Sequence, residues 1–109
     1  MKRFIRRTLA TLTGALLLAP MTASADGPEV FRAQKCTTCH AVSVAGITRQ
    51  ANPDEDGPDL AKVGATLDKK AIALFLLKKT EIKGEKHKKA FQGTQDELRT
   101  VAEWLGGLK

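Results

Sequence analysis

The chain has 109 residues, with 18 basic and 12 acidic side chains, a formal charge of +6 and two cysteines. That length sets a ceiling of one domain, and two cysteines exclude a scaffold stapled by several disulfides. Lys2, Arg3, Arg6 and Arg7 all precede the first acidic residue, Asp26, so residues 26–109 carry only +2, too little to support binding to nucleic acid.

In chain order, Met1-Lys2-Arg3 with Arg6-Arg7 forms a positive start, Leu9 to Ala19 is apolar and uncharged, and Ala23-Ser24-Ala25 supplies small residues. This is the layout of a secretory signal, with cleavage expected before Asp26 and the product expected in the periplasm. The apolar run is about a dozen residues against the roughly 20 needed to cross a bilayer, so no stable membrane span is expected after cleavage. The remaining domain, residues 26–109, is small enough that its own side chains bury little core.

Asp26-Gly27-Pro28-Glu29 marks a helix start: Asp26 can cap, Pro28 suits the first turn and Glu29 lies near the positive end of the dipole. The helix is expected to carry Val30, Phe31 and Gln34 into a turn at Cys36. There stands Cys36-Thr37-Thr38-Cys39-His40. The spacing C-x-x-C-H is that of covalent haem c attachment: the cysteines form thioethers with the two vinyl groups and the histidine turns its imidazole to the iron. One haem c is therefore the expected cofactor, and it would supply the missing apolar centre. A zinc site on the same cysteines would want four ligands, and a thioredoxin-like motif would want a βαβ pattern; neither is visible.

From Ala41 to Gly57 no helical period appears, and Asn52 to Pro58 is dense in turn formers, so a loop over one side of the haem is expected. Asp54, Glu55 and Asp56 lack calcium-loop spacing and fit a solvated loop. Leu67 to Lys79 predicts a helix capped by Thr66 or Asp68, with Leu67, Ala71, Leu74, Phe75 and Lys78 on one stripe. Thr80 to Gln92 is basic and reads as a loop. Thr94-Gln95-Asp96-Glu97 is a capping box; Leu98, Val101, Ala102 and Leu105 follow at helical spacing, and Gly106-Gly107 ends the helix. No strand and no repeat is visible.

A helix leading into C-x-x-C-H, then Gly57-Pro58-Asp59-Leu60, a middle helix, a loop and a last helix with Trp104 near its end resembles the class I, single-haem cytochromes c over residues 26–109. The resemblance implies an all-α small cytochrome c fold: three to four helices around one covalently bound haem, with crossed N- and C-terminal helices and Trp104 near their contact. It implies thioethers at Cys36 and Cys39, His40 as proximal ligand, the Pro58 carbonyl accepting a hydrogen bond from that imidazole, and Leu60 packed on the haem face. Two features depart from the family. Phe31 lies one residue further from Cys36 than the family's aromatic. The family's distal methionine is absent: Met1 and Met21 are the only methionines, and both precede Asp26.

His87 stands in the loop where the family places that methionine, seven residues before Thr94. Neutral imidazole ligates iron well, so a bis-histidine haem with His40 and His87 as metal ligands is expected. A lysine (Lys83, Lys86, Lys88 or Lys89) and an open, water-bearing site are the alternatives. The function that follows is a periplasmic one-electron carrier of low potential, because methionine ligation raises the potential of haem c. No catalytic side chains are implied, since the iron carries the chemistry. An open distal site would instead suit gas binding or a peroxidase-like activity, and the chain could serve alone as a monomer or as a subunit of a redox complex. Eight lysines between Lys69 and Lys89 face only Glu81 and Glu85, a local +6, while the rest of residues 26–109 carries −4. Such a separated field would steer the protein to redox partners with an acidic docking face.

Overall fold

The computed structural model describes residues 25–50 and 57–109, together with Gly14. Apart from Gly14 and Ala25, the signal expected over residues 1–25 lies outside the described residues, as does the acidic turn Asp54-Glu55-Asp56. The described residues form three α-helices and three short 3-10 turns, with isolated bridges between Val42 and Ile47 and between Ile82 and Glu85 in place of any strand.

Helix α1 spans Gly27–Ala33. It starts where the Asp26 carboxylate accepts the Glu29 N–H at 2.9 Å, with Pro28 in the first turn where its missing N–H has no helical partner to lose. It ends before the cysteine turn rather than running into it. Lys35 takes φ +59, a left-handed conformation that breaks the chain's direction before the 3-10 turn Cys36–Thr38. Helix α2 spans Lys69–Leu76; of the two caps considered, Asp68 fills the role, accepting the Ala71 N–H at 2.8 Å. It is shorter than the expected Leu67–Lys79 because Leu77 caps it and Lys78 turns left-handed at φ +58. Helix α3 spans Gln95–Gly106. Its capping box is complete: Thr94 Oγ1 accepts the Glu97 N–H at 3.2 Å and the Glu97 carboxylate accepts the Thr94 N–H at 3.0 Å.

The core lies where α1 and α2 each pack on α3. Val30, Phe31, Val42, Ile47, Ile72, Val101, Ala102 and Leu105 form one buried cluster, with Leu60, Leu67, Leu76, Phe91 and Trp104 packed around it. Burial of each large apolar side chain contributes on the order of 1.5–3 kcal/mol. The expected contact of the first and last helices is present: Phe31 meets Trp104 edge-on, ring centroids 5.6 Å apart at 71°. Gly27 permits it, since a Cβ there would lie 2.3 Å from Trp104 Cβ. The alternation at 42–47 also has a physical outcome, with Val42 and Ile47 buried and Val44 66% exposed on the turn between them. The result is an all-α architecture of the kind the resemblance implies. Among the described residues no helix is long and apolar enough to cross a membrane.

Candidate haem site

The 3-10 turn holds Cys36, Cys39 and His40 close together. The Cys36 carbonyl accepts the N–H of Cys39 at 3.2 Å and of His40 at 3.0 Å. The two cysteines are not joined in a disulfide. Burial pushes the Cys36 thiol up to about 11, so near neutrality it is a thiol and not the thiolate that disulfide exchange requires.

His40 donates from Nδ1 to the Pro58 carbonyl at 2.7 Å. A carbonyl only accepts, so Nδ1 carries the proton and Nε2 keeps the lone pair that can bind a metal. Pro58 is held in turn by its neighbours. Asp59 Oδ1 accepts the Ser43 N–H at 3.2 Å and the Ala61 N–H at 3.0 Å, while the Leu60 N–H reaches the Ala41 carbonyl at 2.9 Å. Hydrogen bonds from the Ser43 side chain and backbone hold the Asp59 carboxyl below the usual carboxylate range. This clamp ties the segment after His40 to the segment that carries its acceptor. Burial lowers the His40 pKa, against the Pro58 hydrogen bond, which raises it. The imidazole is therefore neutral at pH 7, the form that ligates. Gly57 lies directly against the ring: a Cβ there would stand 2.5 Å from His40 Cε1 and 2.7 Å from Nδ1.

His87 arrives from the loop between α2 and α3. Its Nδ1 donates to the Lys89 carbonyl at 2.5 Å, so its Nε2 is also the nitrogen left for a metal. The Phe91 N–H bonds the Leu76 carbonyl at 3.0 Å and returns the loop to α2. The His40 and His87 rings are nearly parallel, 13° apart, with centroids separated by 6.2 Å. A metal–nitrogen bond of about 2 Å on each side, plus roughly 1 Å from each nitrogen to its ring centre, puts two imidazoles that share one metal about 6 Å apart. The side chains present fit a haem iron, which His40 and His87 would hold through their Nε2 atoms. They do not fit zinc: no group of three His, Cys, Asp or Glu among the described residues is placed to hold a metal ion. Lys83, Lys86, Lys88 and Lys89 are exposed, whereas His87 is half-buried.

His40, Pro58 and His87, residues the sequence singled out far apart, are brought together here. Leu60 is half-buried against the apolar cluster. Three features escaped the sequence. Gly57 was read as a turn former, and its contact with His40 is tertiary. Asp59 signalled itself only as the variable position of a Gly-Pro-x-Leu stretch. Phe75, whose ring meets His87 edge-on with centroids 5.3 Å apart at 72°, was assigned to a helix stripe alone.

A family model described as Cytochrome c matches residues 24–109. No curated protein and no solved structure matches the chain.

Proposed function

The chain belongs to the cytochrome c family, and from that premise we propose that it is a periplasmic carrier of low reduction potential whose iron is held between His40 and His87. As a family member it carries one haem c bound through Cys36 and Cys39 and works in electron transfer. Bound haem c supplies a one-electron couple between ferric and ferrous iron.

The observation that carries the proposal is the parallel imidazole pair at 6.2 Å. The chain's own residues then divide the work. Cys36 and Cys39 hold the group covalently. His40 would bind the iron through Nε2, and the Pro58 carbonyl fixes its plane and raises its basicity. His87 would bind the same iron through Nε2, its Nδ1–H donating to the Lys89 carbonyl. Leu60, packed against the apolar cluster, would also lie against the haem. Imidazole donates more strongly than a thioether, so two histidines favour the ferric state and lower the potential.

Export is supported by the signal-like layout of residues 1–25. One preparation tests both parts: haem-loaded protein purified from whole cells. Its N terminus is expected at Asp26, and its midpoint potential below that of histidine–methionine cytochromes c. A retained Met1 would remove the export assignment; a midpoint in the histidine–methionine range would remove the low-potential one.

The lysines between Lys69 and Lys89 supply the docking field. Seven of these eight are exposed, Lys78 being half-buried. Electron transfer to an acidic redox protein is expected to slow steeply as salt rises through the range where the Debye length falls from about 30 Å to about 8 Å. A rate constant across that range would mean that the lysine field does not steer docking.

A further inference from the structure

Two imidazoles on one iron can adopt any angle between their planes, and in this protein both planes are held by protein contacts. The His40 plane is pinned between the Pro58 carbonyl and the backbone at Gly57. The His87 plane has one local tie, to the Lys89 carbonyl two residues along, which moves with the loop. Its other contact comes from a different element. Phe75 lies in the last turn of α2, its ring 72° from the imidazole with centroids 5.3 Å apart. Helix α2 is itself anchored, by the Asp68 cap at one end and by Ile72, buried against the core.

We propose that Phe75 is a positioning residue that sets the plane of the His87 imidazole and so keeps it parallel to His40. This rests on His87 ligating the iron. An aromatic edge restricts rotation of a flat ring in a way that a rounder aliphatic side chain of similar apolarity does not. The consequence is electronic. Parallel imidazole planes donate into the same one of the iron's two dπ orbitals and split that pair widely; perpendicular planes donate into one each and leave the pair nearly degenerate.

Electron paramagnetic resonance of the ferric, haem-loaded protein reads this splitting directly. The wild-type protein is expected to give a rhombic low-spin signal with three resolved g values. Phe75→Leu is expected to stay low-spin in its optical spectrum while its resonance broadens or shifts toward the strongly anisotropic, single-feature type. Phe75→Met, which keeps more of the volume and also lacks a flat edge, is expected to do the same and serves if the leucine variant does not hold haem. A low-spin variant with the rhombic signal of the wild type would overturn the role of Phe75 and leave His87 ligation standing. A wild-type signal that is high-spin would instead overturn the ligation on which the role rests.

Discussion

Gly57→Ala is expected to unseat the proximal imidazole. The added methyl would lie 2.5 Å from His40 Cε1 and 2.7 Å from Nδ1, where carbon atoms settle at about 3.5–4.0 Å. Neither side can yield cheaply. The imidazole is held by its 2.7 Å bond to the Pro58 carbonyl, and the residue that would push it is bonded to Pro58, so withdrawing the backbone moves the acceptor as well. The Asp59 hydrogen bonds to Ser43 and Ala61 and the Leu60 bond to Ala41 resist that withdrawal. Overpacking at a tight contact costs about 1–3 kcal/mol, and sometimes more. For a domain of this size that corresponds to roughly 5–20 °C in melting temperature. Thermal unfolding of the haem-loaded variant measures this, and its ferric spectrum is expected to lose low-spin character as the His40–iron bond lengthens. Wild-type melting with a wild-type spectrum would show that the Gly57 contact does not constrain the ring.

The same contact shows where the sequence was legible and where it was not. Features that depend on a side chain and its own backbone were readable: the Asp26 and Asp68 caps, the Thr94–Glu97 box and the buried stripe Leu98, Val101, Ala102, Leu105 all appear as their spacing predicts. Helix ends were less readable. Lys35, Lys78 and Lys83 adopt positive φ without being glycine or asparagine, so nothing in their identity announces a break. As a result α1 stops short of the cysteines, and Lys78 lies beyond α2 rather than on its stripe.

In the candidate site, the residues proposed to carry the chemistry stand out because their types and order are restrictive. Cys36, Cys39 and His40 sit at a spacing with one strong meaning, and His87 is the sole other histidine. The supporting contacts were not legible, because they join segments distant in sequence through common residue types. A glycine beside a proline, an aspartate in a turn and a phenylalanine on an apolar stripe each have an ordinary explanation. Only the fold shows that Gly57 meets His40, that Asp59 clamps Ser43 and that Phe75 meets His87.

His87→Ala is the change with the largest expected functional effect. Alanine removes the proposed ligand, while Lys83, Lys86, Lys88 and Lys89 are exposed and an ammonium group has no lone pair with which to replace it. Among the described residues the half-buried ring makes no ion pair and caps none of the three helices, so its removal is expected to leave those helices and their caps in place. The optical spectrum of the haem-loaded His87→Ala protein at neutral pH is the most direct measurement. The ferric form is expected to turn high-spin and the ferrous form to bind carbon monoxide rapidly, whereas the wild type is expected to be low-spin and slow to bind it. A His87→Ala spectrum that keeps the wild-type low-spin signature unchanged in both redox states would contradict ligation by His87.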